Sequence, residues 1–455
     1  MFGLTTVSQR PQFDSTLGAS TMRPWAALPL YATALVDTFG GAVQEVFPAA
    51  LLVRGLLILL FFGWVLESRS VSPDLRRLVI ASLLYFCAFF FLHFLLGFNS
   101  AAVTLEVSAT LRLLYGPLLA CYLGACMLGG LLRAEDARRV ILTYGWLILL
   151  SLLLGQLTGL GGSIGGRGVE AGKGFTIGAN EVGLMLLLTC PVVVGDLHNR
   201  LRQPALVAAL SLLAYGWAAT HVFTKSSLFT PVICAATLLA ICQRIGGWTA
   251  RISYLTLIAA TAGIALVVLS RLDEIMVLVQ STFFRSLFDD GLVAFLFRGR
   301  QDYIDAIYPQ LADHELNTLL WTFGAGEFHV RAISEAPLLL ARGEGTTFEM
   351  DGFDLLACYG IAGTALYFLL LYRGMASIAQ QRLAWPLRLT VAGVLIHAFM
   401  AGHVVFSPQV MTLLLLLVAA STAPALRAAF TEPANADTTT SVSYTHLTLP
   451  TKRIV

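Results

Sequence analysis

From residue 24 to residue 426 the chain alternates long apolar runs with short polar connections. Apolar stretches of about 18–22 residues read as transmembrane helices, and about 12 such spans are predicted. They lie at 24–39, 48–66, 77–97, 109–130, 139–158, 180–196, 204–220, 226–243, 252–270, 352–372, 386–404 and 407–426. The first is short and interrupted by Pro29. Composition agrees: 57% of residues are hydrophobic and 12% charged, with a mean hydropathy of +0.77. A soluble domain carries a charged fraction of about 25%. The expected fold is therefore all-α, a polytopic helical membrane protein. It divides into a bundle at 1–270, a large loop at 271–351, a second bundle at 352–430 and a polar tail at 431–455.

The loop breaks the pattern. Between Arg271 and Asp351 the chain leaves the membrane for roughly 80 residues, far more than an ordinary connection. A polar excursion of that length is costly to order unless it does something. Ser281–Leu296 is apolar and aromatic, with Phe283, Phe284, Leu287, Phe288, Leu292 and Phe295, a spacing that suits a helix on the bilayer surface or capping the bundle. Gln301–Leu311 continues as an amphipathic helix, with Tyr303, Ile304, Ile307 and Tyr308 on one side, stopping near Pro309. Leu319–Phe323 then runs into a turn at Gly324 and Gly326.

Charge orients the chain. One set of short connections holds Arg69, Arg76, Arg77, Arg133, Arg138, Arg139, Arg200, Arg202, Arg244, Arg251, Arg373, Arg382 and Arg388; connections 40–47, 98–108 and 405–406 hold no basic residue. Basic short loops stay in the cytoplasm, so both termini are expected there and the large loop outside. Two outward connections break the rule: Gly161–Asn180 carries Arg167 and Lys173, and His221–Ser227 carries Lys225. With Arg298 and Arg300 of the loop they place five cations on one side, which suits an anionic substrate such as a lipid-linked phosphate or pyrophosphate. The alternative is that each is a solvated or headgroup-contacting base. No basic cluster with interleaved aromatics points to nucleic acid.

The seven cysteines all fall in predicted apolar helices, with no CxxC or Cys/His ligand spacing, and read as small packing residues. Residues 1–23 are polar and mixed and do not read as a cleavable signal. Residues 442–455 read as translated sequencing-adapter DNA and are set aside from the fold.

The candidate chemistry gathers around the loop. Arg300 can present a guanidinium fork to phosphate oxygens. Glu349, Asp351 and Asp354 stand where the chain re-enters the membrane, and Asp351 and Asp354 share a helix face. Carboxylates there can act as a general base or bind sugar hydroxyls; equally, they can be helix-start charge, with Asp351 as a cap. His403, in His-Val-Val-Phe-Ser-Pro, is either a base, a phosphate donor or an interfacial structural histidine, and for His221 the structural reading is the stronger. No Walker A, zinc-protease or nucleophile-elbow motif occurs.

At these residues the chain resembles the O-antigen ligase and polymerase family of bacterial envelope glycan enzymes. Lys173–Gly183 (Lys-Gly-Phe-Thr-Ile-Gly-Ala-Asn-Glu-Val-Gly) is similar to the family's stretch entering the sixth span, and Thr224-Lys-Ser-Ser227 to its Thr-x-Ser-Arg entering the eighth. Gly299-Arg300, Phe323-Gly-Ala-Gly326 and Asp354–Gly363 match the loop helix, the later glycine pair and the helix after the loop. The order of these motifs carries the resemblance more than any one of them. Two positions depart from it. Glu349-Met350 stands where ligases commonly have His-Asn, and Ser227 replaces the arginine of Thr-x-Ser-Arg, leaving only Lys225 to supply charge.

The resemblance implies a fold of the glycosyltransferase C superfamily and a place in the bacterial inner membrane. It implies transfer of glycan from an undecaprenyl-pyrophosphate-linked donor to a glycan or lipid acceptor at the outer face, with no cofactor. Polymerisation of repeat units is the leading expectation, with ligation to a lipid or protein and transport as alternatives; a chain-length regulator is a possible partner. Glu349, Asp351 and Arg300 are expected to be catalytic. Arg298, Lys225, Arg167, Lys173, Asp354 and His403 are expected to bind substrate, alongside membrane lipid.

Overall fold

The computed structural model describes residues 19–43, 49–95, 100–164, 171–176, 178–222, 224–245, 297, 300–314, 317–333, 347–376, 378 and 383–430. The predicted ninth span, the helix at Ser281–Leu296, and Arg167 and Arg298 lie outside them. The described chain is all-helical apart from one two-residue antiparallel ladder.

Eight helices come first: α1 Ala19–Val43, α2 Ala49–Glu67, α3 Pro73–Leu95, α4 Ser100–Leu128, α5 Ala134–Thr158, α6 Ala179–Leu201, α7 Pro204–Val222 and α8 Lys225–Ile245. Between α5 and α6, β1 (Ser163–Ile164) pairs with β2 (Ala171–Gly172). Two short helices follow, α9 Gln301–Ala312 and α10 Asn317–Phe323, with a helical segment at 327–333. The chain then returns through α11 Asp351–Ala376, α12 Trp385–Ala401, α13 Pro408–Ala420 and α14 Pro424–Phe430.

Among the described residues seven helices are long and apolar enough to cross a membrane, or eight if α13 and α14 count as one span. That pair is bent by 80°, so the single run predicted at 407–426 is a broken element. The first helix, by contrast, runs unbroken through Pro29. Within it the Thr33 hydroxyl donates to the Pro29 carbonyl one turn back, at 2.7 Å. α4 begins at Ser100, well before the predicted start at 109. What reads as a polar connection is therefore helix, and it carries Glu106 into the protein.

The main core gathers inward-facing aromatics, including Phe61, Tyr115, Tyr122 and Tyr144, with the Phe61 and Tyr122 rings 4.7 Å apart. A smaller core seats the loop helices. Tyr303, Ile307 and Leu311, at helical spacing on α9, are buried with Leu320, Phe348 and Tyr359 against Phe86 and Phe89 of α3 and Leu113 of α4. α9 continues past Pro309 to Ala312, and Tyr308 faces out rather than in. Six of the seven cysteines are buried free thiols; Cys87 is exposed.

Candidate functional site

The described part of the loop and the ends of α11 and α12 meet at one end of the bundle, here the loop end. Arg300 precedes α9, and its side chain is only 3% exposed. Nη2 donates to Glu349 Oε2 at 2.9 Å. Nε and Nη1 are buried and have no hydrogen-bond partner among the described residues. Leaving guanidinium donors unmet in a buried position is expensive, which makes Arg300 a candidate for holding a ligand.

Glu349 is held in an uncommon backbone conformation, with φ +54. A non-glycine residue there carries strain of about 1–3 kcal/mol and persists only where its surroundings impose it. Asp354 imposes it from one side: its Oδ1 accepts the Phe348 N–H at 2.8 Å and its Oδ2 the Met350 N–H at 3.0 Å. From the other side Gly402 packs against the Glu349 carbonyl so closely that a Cβ on it would lie 2.7 Å from that oxygen. Gly402 and His403 are themselves left-handed, at φ 63 and φ 65. Asp351 Oδ2 accepts the N–H groups of Val404 and Val405, both at 2.9 Å, and so ties the start of α11 to the turn after α12.

The remaining residues named from sequence divide. Arg300, Glu349, Asp351 and Asp354 converge, with His403 in the adjoining turn. Lys173 is half-buried and lies over Gly162 in the glycine hairpin, whose β2 strand packs on α5 and α7. Lys225 is the first residue of α8, and its side chain lies outside the described set. Ser227, in the arginine position of the motif, is buried; its hydroxyl lies 3.0 Å from the Ala219 carbonyl and 2.9 Å from that of Thr224.

A second polar cluster adjoins the first and was not foreseen. α11 is broken at Gly360, with φ 63 and ψ −176. Into the break sits the turn after α10: the Ala325 N–H donates to the Ala357 carbonyl at 2.8 Å and the Gly326 N–H to that of Cys358 at 2.9 Å. The Tyr85 hydroxyl lies between the carbonyls of Phe323 and Tyr359, at 2.9 and 2.8 Å. A Cβ on Gly324 would stand 2.3 Å from the Cys358 carbonyl oxygen, so only glycine fits there. Irregular backbone within a membrane bundle must be satisfied by protein, and these contacts do that. Just beyond, Glu106 Oε1 accepts the Phe328 N–H at 2.6 Å, while its buried Oε2 has no partner among the described residues. Glu327 pairs with Arg112 at 3.3 Å and Arg331 at 2.7 Å.

A third cluster lies inside the bundle. Asp37 of α1 is fully buried; it accepts from Arg54 Nη2 at 2.9 Å and from the Tyr144 hydroxyl at 2.8 Å. An acid and a base in consecutive antiparallel spans were the available signal for this pair, since buried membrane charges seek partners. For Glu106 the signal was a lone acid beside an apolar run.

Fold and site together define a polytopic all-α membrane protein with an incompletely satisfied, buried guanidinium–carboxylate pair at one end of its bundle. Scanned against models of known protein families the chain matches none, and a search of curated proteins likewise finds no match.

Proposed function

We propose that this protein is a polyprenyl-pyrophosphate-dependent glycosyltransferase that polymerises undecaprenyl-pyrophosphate-linked oligosaccharide repeat units. The observation that carries this reading is Arg300: a buried guanidinium with two nitrogens open and the third on a carboxylate. Open N–H groups in a dry setting suit phosphate oxygens and stabilise charge as a pyrophosphate departs. Glu349, 25% exposed, is reachable by an acceptor hydroxyl. In the proposed step the acceptor oxygen attacks the anomeric carbon and the bond from that carbon to the pyrophosphate oxygen breaks. The electron pair leaves with undecaprenyl pyrophosphate, and the hydroxyl proton passes to Glu349. Asp351 and Asp354 are occupied by backbone amides and support this pair rather than react.

The motif resemblance supports the same reading, as does the order of the cationic connections in the sequence. With it come the finer expectations: about twelve spans, both termini in the cytoplasm of a bacterial cell, and Arg167, Arg298, Lys173 and Lys225 as further donor contacts. Ligation is the same chemistry with a lipid or protein acceptor.

Transport is a second reading with observations of its own. Discontinuous helices and buried charge are features of transporters, and here α11 breaks at Gly360 and Asp37 pairs with Arg54 inside the bundle. The break in α11 is filled by the glycine turn, and Arg54 leaves one buried nitrogen, Nε, without a partner among the described residues against two on Arg300, which favours chemistry at the loop end. The test is purified protein with a synthetic undecaprenyl-pyrophosphate oligosaccharide, without nucleotide sugar or metal, resolved on a gel. A ladder of lengthened products is expected. Unchanged donor across a panel of repeat units and lipid acceptors, with donor movement across reconstituted vesicles, replaces the reading with transport.

A further inference from the structure

We propose that Asp354 is a positioning residue: it holds Glu349 in the left-handed conformation that sets its carboxylate on Arg300. The proposal rests on the reading of Arg300 and Glu349 as the reacting pair. It departs from the sequence expectation, in which Asp354 touches substrate.

The argument is geometric. Asp354 is buried, and each of its oxygens is engaged by an amide, one on either side of Glu349. Clamping the N–H of Phe348 and of Met350 on one carboxylate bends the three-residue segment they bound. The residue at the apex, Glu349, takes φ +54 in consequence, and its side chain projects to Arg300 Nη2. A β-strand or helical φ at Glu349 would turn the side chain elsewhere. Gly402 closes the other side, with no room for a Cβ against the Glu349 carbonyl, so the segment cannot relax in that direction. Asp351 keeps that wall in place through Val404 and Val405. Substrate has no unoccupied oxygen of Asp354 to meet without breaking the clamp.

A residue that acts through another contributes nothing once its client is gone, so the test is a double-variant cycle. Glu349→Gln is expected to lower kcat about 100-fold, the range for losing a general base. Asp354→Asn puts an amide nitrogen against one of the two N–H donors, and misplacement by about 1 Å is expected to cost kcat up to about 100-fold, with donor KM lowered by up to about 10-fold as Glu349 releases Arg300. The double variant is expected to be no slower than Glu349→Gln alone. Multiplied losses, or a raised donor KM in Asp354→Asn, overturn the proposal.

A binding measurement separates this from the parent reading. Inorganic pyrophosphate, titrated calorimetrically into detergent-solubilised protein, competes with Glu349 for Arg300. Glu349→Gln and Asp354→Asn are both expected to tighten its Kd, by a similar factor of about 10. Equal tightening with no turnover in the wild type sinks the transferase reading and leaves the positioning role standing. Tightening in Glu349→Gln but not in Asp354→Asn overturns the positioning role alone. No pyrophosphate binding in any of the three overturns both. If Asp354→Asn does not accumulate, Asp354→Ser, which keeps a smaller acceptor, is scored by the same criteria.

Discussion

Two arginines are buried among the described residues, at opposite ends of the bundle, and their nitrogens are used differently. Arg138, in the second turn of α5, has all three nitrogens engaged. Its Nε donates to both oxygens of Glu135 at 2.9 and 3.0 Å, its Nη1 to Asp196 at 2.7 Å, and its Nη2 again to Glu135. Arg200 completes the network on the second oxygen of Asp196 at 2.7 Å. Arg300, at the loop end, is more deeply buried and has one nitrogen engaged of three. The same side chain in a similar degree of burial thus does two things. Where every nitrogen has a partner the charge joins helices, here α5 to α6. Where N–H groups are left open the protein bears a local cost that a bound anion would remove. Burial and ion pairing alone do not separate the two cases; the count of open donors does.

The sharpest way to break this comparison is to remove each arginine in turn. Arg300→Ala is expected to lower transfer by about 100–1,000-fold, the scale for losing a preorganised charge-stabilising donor, with little loss of thermal stability. Arg138→Ala removes the bond between α5 and α6, leaving Asp196 with Arg200 and Glu135 with the more distant Arg139, and is expected to cost about 1.5–3 kcal/mol of stability, with kcat of the surviving folded protein unchanged. Initial rates and thermal unfolding on the same two preparations decide it. A stability loss for Arg300→Ala as large as that for Arg138→Ala, with proportionate activity, makes Arg300 structural and ends the contrast.

The next largest effect concerns how the loop is seated. Gly326 has φ +81, and a Cβ there would fall 2.6 Å from Glu106 Oε1. Gly326→Ala combines a left-handed alanine, about 1–2 kcal/mol, with a clash against a buried, hydrogen-bonded carboxylate. It is expected to undock the turn from the break in α11 and to raise the rate of proteolysis in the loop, while helices α5 to α8 keep their protection in hydrogen exchange. Uniform loss of protection across the bundle contradicts a locally seated loop.

Comparing the ends also shows what the sequence made legible. Long apolar runs announced α3 and α5 to α8, because in a membrane hydropathy and helix are nearly the same signal. The paired glycines 324 and 326 announced a turn. They did not announce that the turn enters α11, because Gly360 lies in an apolar run whose hydropathy continues unbroken across it. Likewise the bend between α13 and α14 falls within one apolar stretch. Arg300 and Glu349 each stood out by residue type, but 49 positions separate them and periodicity relates only near neighbours, so their ion pair was not readable. Asp351 and Asp354 were assigned to a helix face correctly, and chemistry was inferred from the face. Their actual partners are amides 4 to 54 positions away, supplied by the tertiary fold. Asp37 and Arg54 were passed over because each alone is a single charge in an apolar run.

Glu106 gives a smaller test of the same distinction between filled and open valences. One oxygen serves Phe328 and the other has no partner among the described residues. Glu106→Gln keeps the acceptor and removes the charge, and is expected to leave stability and transfer close to wild type. Glu106→Leu takes that acceptor away from the part-buried Phe328 N–H, at a cost of about 1–3 kcal/mol. Thermal unfolding of the two variants reads the difference. A loss in Glu106→Gln equal to that in Glu106→Leu assigns the role to the charge, and the open oxygen then has a partner of its own to be found.

The smallest expected effect is a pH dependence at the loop end. His329 lies on the helical segment after the glycine turn, its ring 5.6 Å from that of His314 and nearly perpendicular to it, at 83°. Burial lowers its pKa below the ordinary 6.5, and the neighbouring His314 and His93 lower it further. The unfolded chain therefore takes up a proton on this ring at a higher pH than the folded protein does. By linkage, the stability tied to neutral His329 is fully present above 6.5 and is lost as pH falls through the lower folded value. Loop proteolysis should accordingly accelerate on acidification across that window, and His329→Gln, which cannot titrate, should flatten the profile. A variant that keeps the full acid response shows that a group other than His329 carries it. A wild type that is stabilised by acid reverses the sign, and His329 is then charged in the folded protein and adds a cation to the loop end beside Arg300.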